Sequence, residues 1–262
     1  MSRVVNKSVY FGVMQKIPVL TYHSIDESGS VISTDAATFR GQMNFLKGAG
    51  FNIVSLGNLI KNFGENKNLP AKTIVLTFDD GFQNFYMEAF PILEEFGFTA
   101  TVFLVTNYCE KHNDWEGNLP TLERSKLMSW SEIKELYNHG IEFGAHSLSH
   151  PDFTKISLEE VERELIQSKS VIEDKLGSAV ETFAYPYGKF NNAVKRLTAQ
   201  NYAVACSTNL GKVKENSDFF QLERVDTYYL KNEKIFKSLN SASFDRYLQF
   251  RQVMRNFKQL FL

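Results

Sequence analysis

Thr73-Ile74-Val75-Leu76-Thr77-Phe78-Asp79-Asp80-Gly81 is a β-rich apolar run that ends abruptly in two carboxylates and a glycine. With apolar residues on both alternating sets of positions, it reads as a strand covered on both faces, as in a parallel sheet with helices outside. Its carboxylates then lie at the strand's mouth, where the ends of parallel strands converge on one face.

The same grammar repeats to either side. Strand-like segments are expected at 18–25, 51–56, 73–78, 98–105, 141–145, 180–185, 202–207 and 219–229. Helix-like segments at 35–49, 84–96, 131–139, 157–176 and 191–200 alternate with them, and Gly50, Gly97, Gly140 and Gly177 stand just past four of these as stop signals. Ser157-Leu158-Glu159-Glu160 is a capping box. Seven or eight βα units predict one α/β domain, a barrel with a mainly parallel sheet over 17–235. An N-terminal extension (1–16) precedes it and a C-terminal amphipathic helix (236–262) follows. The stretch 107–128 is a polar insertion after a strand, which puts it on the face where substrates bind.

A length of 262 residues suffices for a sizeable core, and a net charge of −1 argues against nucleic acid as a partner. Cys109 and Cys206 form no CxxC pattern; one disulfide is the second reading, and buried free thiols of a reducing compartment the first. The first 16 residues lack the apolar core of a secretory signal, and no uncharged apolar run reaches the roughly 18 residues needed to span a bilayer. The expected location is cytoplasmic. In 243–262, Phe244, Tyr247, Leu248, Phe250, Val253, Met254, Phe257 and Leu260 interleave with Arg246, Arg251, Arg255 and Lys258. This reads as a helix packed on the body, or as a peripheral contact with the inner face of an anionic membrane.

The chemistry sits at strand ends. His146-Ser147-Leu148-Ser149-His150 supplies two of only 5 histidines, directly after a strand-like run. One aspartate with two histidines is a facial set for a divalent metal that leaves positions open for water and substrate. The second aspartate is then free to act as a base. Taken alone, Asp79-Asp80 reads more readily as a helix cap, and a bare pair of loop histidines decides nothing. His23, in Leu20-Thr21-Tyr22-His23-Ser24, is a candidate proton donor. In Tyr185-Pro186-Tyr187-Gly188, a turn is placed to aim the Tyr187 N–H at a developing oxyanion.

TFDDG, HSxxH and FAYPYG, in this order and spacing, resemble the polysaccharide deacetylases (NodB homology, carbohydrate esterase family 4) over most of the chain. The resemblance implies a distorted (β/α) barrel of about seven parallel strands and removal of acetyl groups from N-acetylated sugars, usually with zinc. It implies Asp79 as general base, Asp80, His146 and His150 as metal ligands, and Tyr187 as oxyanion donor. Two departures stand out. Ala184 occupies the position of an arginine that usually binds the catalytic aspartate, and 221–226 lacks the usual acid histidine. The opening Leu20–Ile25 resembles the circularly permuted biofilm poly-N-acetylglucosamine deacetylases, in which the histidine strand comes first, so His23 is the expected acid. Arg224 or Asp226 is the candidate stand-in for the missing arginine. Trp130, Tyr185, Pro186 and Arg224 are the expected substrate contacts.

The expected reaction is metal-dependent N-deacetylation, with Zn2+ or another divalent transition metal as cofactor. The substrate is an amino-sugar glycan or its lipid- or nucleotide-linked precursor, as in surface-polysaccharide synthesis. Three other readings fit the same residues: an amidase for a non-sugar amide, an O-acetyl esterase, and a non-catalytic glycan-binding scaffold.

Overall fold

The computed structural model of the protein describes residues 15–259 except 66, 68 and 119–121. Most of the 1–16 extension therefore lies outside the described residues. The strands are β1 (Val19–Tyr22), β2 (Ser24–Ile25), β3 (Ser33–Thr34), β4 (Asn52–Val54), β5 (Thr73–Phe78), β6 (Thr101–Leu104), β7 (Glu142–Ala145), β8 (Thr182–Ala184), β9 (Val204–Leu210) and β10 (Leu222–Asp226). Seven of them close a parallel barrel, β1-β10-β9-β8-β7-β6-β5 and back to β1. β4 pairs with the start of β5, on the edge whose later part holds β6. β2 and β3 form a separate small pair. The helices are α1 (Ala36–Gly48), α2 (Leu56–Gly64), α3 (Phe90–Phe96), α4 (Trp130–Asn138), α5 (Leu158–Leu176), α6 (Asn192–Asn201), α7 (Glu233–Phe236) and α8 (Ala242–Gln259).

The strand alternation sorts the core into two layers. Val19, Val75, Phe103, Ala184, Val204, Cys206 and Leu222 fill the barrel. Ile74, Leu76, Phe78, Val102, Phe183 and Val225 face outward under the helices. All six residues of β5 are buried, as a strand covered on both faces requires. Phe78 joins an aromatic cluster with Tyr22, Phe39 and Phe85, its ring centroid 5.1, 5.8 and 4.6 Å from theirs. Burial of each such ring contributes about 2–3 kcal/mol. The same parity carries forward: Thr77 and then Asp79 fall on the interior side of β5.

All eight expected strand segments contain a strand, and β5 matches residue for residue. α5 opens with the Ser157–Glu160 capping box and stops at Gly177, whose φ of 73° is left-handed. Residues 84–96 do not form one regular helix. A wide turn over Phe85–Ala89 precedes α3, with the Phe90 N–H reaching back to Phe85 O. Pro91 lacks the N–H that a regular turn would use there and its ring would crowd the carbonyl four residues earlier, so the backbone widens. α2 was not anticipated. Leu56, Leu59, Ile60 and Phe63 do recur at helical spacing after the Ser55 cap, but Gly57, Asn58, Asn62 and Gly64 dilute the signal.

The C-terminal region divides by face. Phe236, Leu239, Phe244 and Leu248 belong to the main core. Lys16 and the buried Lys212 each lie 2.7 Å from Asp245 and pin the first turn of α8 to the barrel base. Phe250, Val253, Met254 and Phe257 point outward and are exposed. No helix among the described residues is long and apolar enough to cross a membrane. Cys109 and Cys206 are free and buried, and burial pushes both thiols up to about 12.

Candidate active site

A pocket at the mouth of the barrel is lined by His23, Asp79, Asp80, His146, His150 and Tyr187, among others. β1, β5, β7 and β8 deliver these side chains at their C-terminal ends. The turns that do so are strained. Six non-glycine residues in the described chain have positive φ, and four of them are Asp80 (72°), Ser147 (71°), His150 (61°) and Tyr187 (56°). Each left-handed residue costs on the order of 1 kcal/mol, and such strain collects at functional sites. At the end of β5 two successive left-handed residues, Asp80 and Gly81, turn the chain so that both carboxylates enter one pocket. Gly81 is required there, since a Cβ would meet Leu104 Cδ2 at 2.8 Å.

Asp80 Oδ1 lies 3.5 Å from His146 Nε2 and 3.5 Å from His150 Nε2, and the two nitrogens are 3.2 Å apart. The edge of a tetrahedron with metal–ligand distances of about 2.1 Å is about 3.4 Å, so the three atoms fit one divalent ion. The tautomer agrees: His146 Nδ1 donates to Ala184 O at 2.7 Å, which frees Nε2. Asp80 Oδ1 is buried without a hydrogen-bond partner among the described residues, as a group awaiting a cation would be. Burial raises the Asp80 carboxyl despite the neighbouring histidines, and burial with His146 holds His150 well below its usual value.

Asp79 is placed differently. Arg224 grips it with two bonds of 2.7 Å, Nη1 to Oδ1 and Nη2 to Oδ2. The guanidinium also donates from Nε to Ser207 O at 3.0 Å and lies over the Phe103 ring. Burial alone would push the Asp79 carboxyl up. The charge and hydrogen bonds of Arg224 overcome it and hold the group well below the usual carboxylate range. His23 Nε2 stands 3.9 Å from Asp79 Oδ2 and remains partly open to solvent. In 185–189 the turn bonds run from Gly188 N to Tyr185 O and from Lys189 N to Pro186 O, and neither uses the Tyr187 N–H. The Tyr187 ring packs against His150, and burial and Asp80 push its hydroxyl up to about 12.

Three expected substrate contacts are corrected. Trp130 does not line the pocket; it opens α4, packs on the core and carries Lys175 over its ring. Trp115 lines it instead, from the insertion at 107–128, with its ring centroid 4.6 Å from that of His150. The sequence holds that signal, because the insertion follows a strand and so falls on the active face. Pro186 is buried within its turn and is not part of the lining. Arg224 is 2 % exposed beneath Asp79 and has no free face for substrate. Tyr185 reaches the pocket, but its ring stacks on Phe190 in the core and its hydroxyl donates to Phe220 O. Of the two candidates for the missing arginine, Arg224 binds Asp79, whereas Asp226 caps the turn at Tyr228. Ala184 and Cys206 both line the barrel interior, and their small side chains leave it room for a guanidinium that enters from β10.

The polysaccharide deacetylase family model matches residues 66–205, which hold Asp79, Asp80, His146, His150 and Tyr187. The chain belongs to the polysaccharide deacetylase family. This deacetylase is 23% identical over 229 residues to the poly-β-1,6-N-acetyl-D-glucosamine N-deacetylase of Staphylococcus epidermidis, covering 82% of this chain and 76% of that one. Its fold is similar to that of the Streptococcus pyogenes deacetylase PplD, solved in complex with acetate, at a TM-score of 0.72 and 26% identity, with 82% and 93% of the two chains covered. IcaB from Ammonifex degensii shares the fold at a TM-score of 0.71 and 20% identity, over 90% of this chain and 97% of that one.

Proposed function

We propose that this deacetylase hydrolyses the N-acetyl groups of an amino-sugar glycan or glycan precursor, with Asp80, His146 and His150 holding a divalent ion, zinc foremost. The observation that carries the reading is the pairing of that triad with an ionised Asp79, gripped by Arg224 and faced by His23 at 3.9 Å. The departures at Ala184 and in 221–226 favour a non-catalytic scaffold, but Arg224 against Asp79 and His23 beside it support the catalytic reading instead.

Asp79 is a weak base because Arg224 stabilises its charge, so it needs an acidified water, and a divalent ion supplies that acidity together with polarisation of the acetyl carbonyl. Asp79 takes the proton of the attacking water as the new C–O bond forms. The Tyr187 N–H faces the developing oxyanion, where a fixed donor contributes about 2.7–4 kcal/mol. When the C–N bond breaks, protonated His23 gives its proton to the departing amine, leaving acetate and a free amino sugar. The exposed Tyr187 ring and the Trp115 loop offer an apolar wall for a sugar face. The outward stripe of α8, flanked by arginines, supports a peripheral contact with an anionic bilayer, where a lipid-linked glycan would be met. Sedimentation with anionic and neutral vesicles tests that part; equal binding to both would remove it.

The main test is metal content of purified protein beside a His146→Ala control, followed by acetate release from N-acetylglucosamine oligomers. About one zinc per chain, absent from the control, with metal-dependent acetate release is expected. A reconstituted protein that takes up no metal overturns the reading.

A further inference from the structure

A metal-binding imidazole is normally aimed by a hydrogen bond from its second nitrogen. His146 has that bond, but His150 lacks it: its Nδ1 is buried with no partner among the described residues. The His150 ring is wedged between Trp115 and Tyr187, with centroids at 4.6 and 4.5 Å, and no polar contact on its outer nitrogen sets its angle. The backbone must therefore deliver Nε2 to the triad. That backbone is the strained turn 146–150, with left-handed Ser147 and His150.

Glu164, from the second turn of α5, holds this turn. It is 4 % exposed. Oε2 accepts from the N–H groups of Leu148 at 2.8 Å and Ser149 at 3.0 Å, and Oε1 accepts from Ser149 Oγ at 2.6 Å. Inside the turn, Ser147 Oγ accepts from the His150 N–H at 2.9 Å. Glu164 forms no ion pair among the described residues. A buried carboxylate without a counter-charge is expensive, and every bond that offsets its cost lands between the two ligand histidines. A simple helix-to-loop contact needs no such group.

We propose that Glu164 is a positioning residue that fixes His150 for metal binding. The inference rests on the metal reading of the triad. Its test is Co2+ affinity, by chelator competition, and the visible Co2+ spectrum of wild type, Glu164→Gln and Ser149→Ala, beside the thermal midpoint of each metal-free protein. Glu164→Gln should weaken Co2+ binding by roughly 10–100-fold and alter the ligand-field bands. Ser149→Ala, which removes one of the three bonds, should show a smaller loss in the same direction. A merely structural glutamate would lower the metal-free midpoint and leave affinity and spectrum at wild-type values, and that result overturns the proposal. If Glu164→Gln yields no folded protein, Ser149→Ala decides by the same criterion. A wild type that takes up no metal overturns the triad reading itself, which separates the two failures.

Discussion

Replacing Arg224 with methionine keeps much of the side-chain volume and removes the charge beneath Asp79. Two bonds of 2.7 Å and the surrounding desolvation set the magnitude. At a charge separation of about 4 Å and an effective dielectric constant of about 20, the attraction is about 4 kcal/mol. Breaking a buried pair from one side typically costs about 3–5 kcal/mol, because the remaining charge stays buried without a partner. For a chain of this size that lowers the thermal midpoint by on the order of 10 °C. Asp79 would also lose its fixed orientation, so turnover should fall by roughly 100-fold or more. Metal uptake should persist, since Asp80, His146 and His150 do not touch Arg224. The assay is a double-mutant cycle with Asp79→Asn, reading denaturation midpoints, bound metal and acetate release. The double variant should be more stable than Arg224→Met alone, with a coupling of at least about 2 kcal/mol. An Arg224→Met protein with wild-type midpoint and rate, or a coupling near zero, would refute the reasoning.

Other outcomes follow from the same geometry. His23→Ala should retain its metal and lose about 10²–10⁴-fold in turnover of an N-acetyl substrate, with a smaller loss on an O-acetyl ester whose leaving group needs less help; equal activity would remove His23 from the reaction. Gly188→Ala should destabilise by about 1–3 kcal/mol, because its Cβ would overlap the Thr208 side chain at a φ of 65°, and thermal denaturation checks it. Asp245→Asn should cost about 1–3 kcal/mol at neutral pH by stranding the buried Lys212. Burial raises the Asp245 carboxyl, but Lys16 and Lys212 outweigh it, so the folded pKa lies below the unfolded one. Its contribution is therefore present above the unfolded value of about 3.9 and lost as pH falls through the folded one. The stability gap between wild type and variant should close in acid, and denaturant titrations across pH measure it.

Local signals in the sequence carry far. β5 was legible because six apolar and β-branched residues end at charges, and Asp79, Asp80, His146 and His150 were legible because each follows a strand. Nothing local chooses between Arg224 and Asp226 as the partner of Asp79. The choice depends on which face of β10 points inward and on β1 closing the ring between β10 and β5, and neither is written in local periodicity. Trp130 misled for a related reason: a helix-opening tryptophan and a groove tryptophan look alike until helix packing is known. The widened turn before α3 shows how one missing N–H, at Pro91, overrides an otherwise regular pattern.

Barrel closure also orders the site in time. The triad and the groups that hold it, Glu164 and the Ala184 carbonyl, all lie within residues 80–184, whereas the Arg224–Asp79 pair joins positions 145 residues apart. It forms only when the final barrel strand docks beside the first. Loop-closing contacts of that span come late in folding. A newly made chain would therefore complete the proposed ion site before it fixes Asp79, a harmless order for a hydrolase. In refolding experiments, cobalt absorbance should accordingly rise before acetate release begins.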